Sequence, residues 1–164
     1  MTVLLLAGII FTIILLTKQR DFASVGMVRN LSLKLSEKSL STNYWQAGIA
    51  LFIANATLFA LAFVILFFLP YGAMAGLLLC IPLSLFTWVI FSEMWRGSKK
   101  DKVRMAFIGS AFYLFFLGGI VSYYATLQPA YPGDDLFMAW IGVIIAFIFT
   151  IGAMSVSMFV ILRK

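Results

Sequence analysis

The chain has 164 residues, 63% of them hydrophobic and only 11% charged, with a formal net charge of +6. A soluble domain is nearer half apolar and a quarter charged, so a mean hydropathy of +1.07 places this chain with integral membrane proteins. A single cysteine, Cys80, excludes an internal disulfide, and the absence of histidine removes the commonest ligand of haem and transition metals, so neither a metal site nor a cofactor is expected. The basic residues flank apolar runs, which points to threading across a bilayer and not to nucleic acid.

Residues 2–17 are apolar over about the shortest length that crosses a bilayer, ~17 to 25 residues. A signal peptide carries positive charge before its apolar run and a small-x-small site after it. Here Lys18 and Arg20 follow the run, so the expectation is an uncleaved first span with its N-terminus outside. Residues 18–45 are the longest polar stretch. Val25, Met27, Val28, Leu31 and Leu35 share one sector of a helical wheel, while residues 31–36 alternate with period two. A helix in the membrane interface is expected, because a lone strand there would have no partner for its backbone; a loosely ordered linker is the alternative.

Tyr44 and Trp45 mark an interface at the start of a second span, residues 47–69. The break at Pro70, Tyr71 and Gly72 turns the chain into a third span, residues 73–91, since the uninterrupted run would be far longer than one crossing. The basic segment 93–104 follows, with Trp88 and Trp95 expected at its interface. The fourth span covers residues 105–127. Pro132 and Gly133 then suit a type II turn, and Asp134 or Asp135 can cap the fifth span, residues 136–162.

The expected fold is therefore all-α, a single membrane domain over residues 1–164 with five transmembrane helices, N-terminus outside and C-terminus cytoplasmic. The charges agree with this threading: of twelve Lys and Arg, five fall in 18–45, five in 93–104 and two at the end, and the outer segments carry none. Positive residues are retained on the cytoplasmic side during insertion. The expected location is the cell membrane.

Ionisable residues inside a span mark most ion-coupled transporters and membrane enzymes, and the interiors of these spans hold none. Glu93 lies at a span end, beside Trp95 and Arg96, where it can reach water or the basic segment. Asn55 is the most polar side chain well inside a span, and its amide needs partners on a neighbouring helix or a substrate. Pro82 interrupts the third span, with Ser84 and Thr87 nearby, which is one way to line a pathway. Small residues four apart, at Gly72 and Gly76, Gly118 and Ser122, and Gly142 and Ala146, favour close helix packing. Arg96, Lys99, Lys100, Lys102 and Arg104 are suited to anionic lipid headgroups or a partner. Asp134 and Asp135 are better explained as helix caps than as cation ligands.

These features point to a non-enzymatic protein: an accessory, assembly or regulatory subunit of a membrane complex, working through helix faces with other membrane subunits or with itself. The alternative is a small homo-oligomeric transporter or channel for a neutral or lipid-like substrate, with Asn55, Pro82, Ser84 and Thr87 along its pathway. The lipid bilayer is the partner common to both.

Overall fold

The structure, a computed structural model, describes residues 10, 13–14, 17–18, 26–37, 39–68, 72–128 and 137–163, apart from the side chains of 72–75, 77–78 and 138–139. Most of the expected first span, the break at Pro70 and Tyr71, and the turn carrying Asp134 and Asp135 lie outside these residues. The described chain is helical: α1 (Gly26–Ser36), a 3-10 turn (Ser39–Ser41), α2 (Tyr44–Phe68), α3 (Gly72–Met94), α4 (Lys99–Ala125) and α5 (Phe137–Leu162), with no strand among the described residues. Tyr44–Phe68, Lys99–Ala125 and Trp140–Leu162, of 25, 27 and 23 residues, are long and apolar enough to cross a membrane. At a rise of ~1.5 Å per residue each exceeds a ~30 Å hydrocarbon core. The described apolar part of α3, Leu79–Met94, is shorter.

Side-chain caps set where two of the long helices begin. Asn43 Oδ1 accepts from the backbone N–H groups of Trp45 at 3.0 Å and Gln46 at 3.4 Å, which starts α2. Ser98 starts α4: its Oγ accepts from the Asp101 N–H at 3.1 Å and donates to Asp101 Oδ2 at 2.8 Å. The acidic side chain in the first turn also faces the positive end of the helix dipole. As a result α4 opens at Lys99, six residues before the expected boundary at 105, and the basic segment is two helical turns preceded by a four-residue link at 95–98. Ser98→Ala should cost about 1 kcal/mol and lower the thermal unfolding midpoint in detergent, whereas Ser98→Thr, which keeps the hydroxyl, should largely preserve it.

The four long helices form a closed ring in which α2 contacts α3 and α4, and α5 contacts the same two. Thus α3 and α4, joined by residues 95–98, face each other across the ring. Ala47, Leu51, Leu85, Trp88, Val89, Met94, Met105, Ala106, Val160 and Ile161 form the buried core. They come from the start of α2 and α4 and the end of α3 and α5, so packing is tightest at that one end. Most outward-facing side chains along the apolar stretches are themselves apolar, with Phe67 and Phe115 each 73% exposed. Such a surface is tolerable where lipid tails, not water, surround it.

The tightly packed end is also the basic end. α1 docks on α3, burying Val28, Ser32 and Ser36, and Arg96 Nη2 donates to Ser36 Oγ at 2.9 Å. The Arg96 N–H donates to the Ser41 carbonyl at 2.9 Å. Residues 26–36 are therefore a helix, although its docked stripe is richer in serine than the apolar sector of the sequence suggests. Met27 and Leu31 of that sector face outward, at 74% and 43% exposure.

Lys102 lies inside this end of the bundle. Its Nζ donates to Ser92 Oγ at 3.2 Å, and Ser92 Oγ donates to the Ile161 carbonyl at 2.9 Å. Ser92 and Ile161 sit in the last turns of α3 and α5, where carbonyls without helical partners carry partial negative charge. Lys102 thus reaches the ends of α3 and α5 through the Ser92 hydroxyl.

Candidate functional site: a cavity within the bundle

Beyond its packed end the ring frames a cavity of about 820 Å³ that opens to the outside of the bundle, where its lining side chains Phe63, Leu66, Ile148 and Phe149 are exposed. Cavities of ~300 to 1,000 Å³ accommodate whole small molecules. Its walls come from α2 between Asn55 and Leu66, α3 between Gly76 and Trp88, α5 between Ile148 and Val156, and Tyr113 of α4. The polar groups gather at one place along it: Asn55, Ser84, Trp88 and Tyr113. The remaining lining is Leu, Ile, Val, Ala, Phe and Gly, with Cys80, and includes no Asp, Glu, Lys or Arg among the described residues.

A short hydrogen-bond relay holds the polar corner. Trp88 Nε1 donates to Asn55 Oδ1 at 3.0 Å, and Asn55 Nδ2 donates to the Gly109 carbonyl at 3.1 Å, so one amide ties α2 to both α3 and α4. In a setting without water these bonds are retained because the alternative is an unsatisfied polar group. Tyr113 shares a hydrogen bond with the Ser84 side chain, and its ring lies edge to face with Trp88 at 6.5 Å. Ser110 Oγ donates to Ser157 Oγ at 3.1 Å, joining α4 to α5 nearby.

The approach of α2 to α4 positions this corner. Gly48 of α2 lies against Ile108 and the Met105 carbonyl, and Gly109 of α4 lies against Leu51. With no Cβ at either position the two backbones come close enough for Asn55 to reach the Gly109 carbonyl. Further along the same seam Phe59 meets Phe116 at 4.3 Å and Phe112 at 5.5 Å between centroids. This ladder of rings spaces the helices apart next to the cavity.

Of the expected pathway residues, Asn55 and Ser84 meet at the cavity, while Pro82 and Thr87 do not line it. The Thr87 hydroxyl donates back to the Leu83 carbonyl at 2.8 Å, and α3 continues through Pro82. Among the basic residues, Lys99 and Lys100 are exposed. Arg104 pairs with Asp101 at 3.3 Å and lies over the Tyr44 ring at 5.5 Å. Arg96 is tied to α1, and Lys102, expected at the surface, is only 6% exposed. The small residues divide similarly. A Cβ added at Gly76 would meet the Ala62 carbonyl and Ile65 at 3.8 Å, one at Gly142 would meet the Tyr124 hydroxyl at 3.2 Å, and one at Gly118 would meet nothing within 4 Å. Ser122 is exposed and Ala146 half-buried; Gly72 opens α3, where side-chain surroundings are not described.

Trp88 corrects the expectation that it belongs to an interfacial belt. It lies six residues before the end of α3, is 5% exposed, and its indole N–H is satisfied by Asn55 instead of headgroups or water. Tyr113, Gly48 and Gly109 carry no pattern in the sequence that would have singled them out. A polar residue and two aromatics at one depth of three spans was the available signal.

Compared with protein-family models, curated proteins and solved structures, the chain shows no match.

Proposed function

We propose that this chain is a multi-pass cell-membrane protein that binds a neutral, lipid-like molecule in the bundle cavity and moves it within or across the bilayer. The observation that carries this reading is the lining: an apolar space large enough for a small molecule, whose polar groups among the described residues are Asn55, Ser84, Trp88 and Tyr113, with no charged side chain among those residues. An ionised substrate would be bound there without a counter-charge, at a cost of several kcal/mol. In this reading the protein acts by binding and transfer, without catalytic chemistry.

The same reading takes the basic end as cytoplasmic. Arg29 and Lys34 on α1, the segment 96–104, and Arg163 after α5 gather at one end of the ring, which agrees with retention of positive residues on that side. Five crossings, with α3 as the third and residues 2–17 as the first, place the N-terminus outside.

Gly152 supplies the test. It lines the cavity, yet an added Cβ would meet nothing within 4 Å, so Gly152→Trp fills the space without forcing the helices apart. In proteoliposomes, wild type should accelerate transfer of an uncharged fluorescent lipid analogue between leaflets, and Gly152→Trp should reduce that rate at least tenfold with its unfolding midpoint unchanged. Wild-type transfer no faster than in empty vesicles would refute the reading.

A second reading, an accessory subunit that works by association, draws on α4. A Cβ added at Gly118 or Gly119 would meet nothing within 4 Å, and Ser122 beside them is exposed. That leaves a flat face to which another membrane helix could approach closely. Co-purification of a stoichiometric partner, lost on Gly118→Leu, would favour it.

A further inference from the structure

Resting on the reading that the cavity takes a neutral lipid-like molecule, we infer that its ligand class is a quinone-type lipid: an uncharged ring bearing carbonyl groups, held at Tyr113 and Ser84, with an isoprenoid or alkyl tail lying along α2 towards Leu66.

Each part of that description follows from a different feature of the site. Among the described residues the lining carries no charge, so a carboxylate or phosphate headgroup would find no counter-charge there. The polar capacity left for a ligand is small: the Trp88 indole N–H is engaged by Asn55, and beyond its bonds to Gly109 and Trp88 the Asn55 amide keeps one N–H and one lone pair. A sugar or polyol head would bring more donors and acceptors than the corner can satisfy.

The other polar group is the hydroxyl pair. Tyr113 and Ser84 have one proton each and share one hydrogen bond, so the pair can direct one further proton at an acceptor. A ring carbonyl is such an acceptor and needs no donor of its own.

The shape agrees with the chemistry. Phe59, Phe63, Trp88, Tyr113 and Phe149 all line the cavity, and flat rings pack on aromatic faces and edges at ~4.5 to 7 Å between centroids. From Asn55 to Leu66 the α2 wall is twelve residues long, about 16 Å over its eleven steps at 1.5 Å per residue. That wall is apolar throughout beyond Asn55, and it suits a chain in place of a second polar group.

Cys80 makes the test direct, since it is the only cysteine in the sequence and lines the cavity. The full chain in detergent is reacted with N-ethylmaleimide, and the labelled fraction is read by mass spectrometry after adding decylubiquinone, diolein, oleyl alcohol or oleic acid. Decylubiquinone should slow labelling at least fivefold at concentrations where the other three have little effect. Tyr113→Phe, which keeps the ring, should raise its half-protecting concentration about tenfold, consistent with loss of one hydrogen bond.

Protection by diolein or oleyl alcohol equal to that by decylubiquinone would overturn the assignment and leave the lipid-like reading standing. Equal protection by decylubiquinone in wild type and Tyr113→Phe would also overturn it. Cys80 labelling that no amphiphile alters, or a thiol that reacts only after unfolding, would remove both the assignment and the reading on which it rests.

Discussion

Gly109→Ala should destabilise the bundle by about 1 to 3 kcal/mol, the range for overpacking a fitted core, although alanine is the better helix former by roughly 1 kcal/mol. The added Cβ would meet the Leu51 side chain, including its Cβ at 2.8 Å, and Leu51 has no exposed surface into which to withdraw. Because the contact reaches Leu51 close to its backbone, a rotamer change cannot relieve it, and α2 must move away from α4. Gly118→Ala is the internal control: nothing lies within 4 Å of its Cβ, so only the propensity gain remains and the midpoint should rise or hold. Unfolding both variants in a detergent-denaturant series measures the difference. Equal midpoints would show that the α2–α4 approach is looser than its geometry.

Asn55→Leu is the second large effect, at about 1 to 3 kcal/mol, and its size is set by what it leaves behind. The Trp88 indole N–H would remain buried with no acceptor, and a buried donor without a partner loses its full desolvation penalty. Removing both members relieves that cost, so Asn55→Leu with Trp88→Phe should be more stable than Asn55→Leu alone. The double-mutant cycle should return a coupling of ~0.6 to 2 kcal/mol, the span seen for polar pairs within membranes. Strict additivity would mean that the relay contributes nothing as a unit.

Much of the helical framework was legible in the sequence because the bilayer imposes it. Only segments that satisfy their own backbone survive in hydrocarbon, so long apolar runs broken by Pro70 and Gly72 or by the basic segment read directly as helices. The observed ends of α2, α3 and α5 lie within three residues of the expected spans 47–69, 73–91 and 136–162. The start of α4 did not, because hydropathy stops at the charges whereas the helix is set by the Ser98 cap and continues through them. That signal, a serine three residues before an aspartate, was present and outweighed by polarity.

The site was legible only in part. Asn55 and Ser84 stood out because polar groups are rare in apolar spans. Trp88 looked like a belt residue because an aromatic near a span end has two fates, and which one applies depends on the neighbour it finds. Lys102 was assigned to a surface with its neighbours since sequence shows the charge and not the two helix ends that surround it. Gly48 and Gly109 lie on different helices, so no spacing within one helix relates them. Tyr113 joins the cavity only through how α4 faces α2 and α3, which sequence periodicity leaves open when a helix is apolar on every side.

The central claim, that the cavity is a ligand site and not a packing defect, is tested most directly by native mass spectrometry of the protein extracted gently from its own membrane. Wild type should carry one uncharged, lipid-sized adduct per chain that survives detergent exchange, and Gly152→Trp should carry none while remaining folded. A bare wild-type chain, or the same adduct on both proteins, would contradict it.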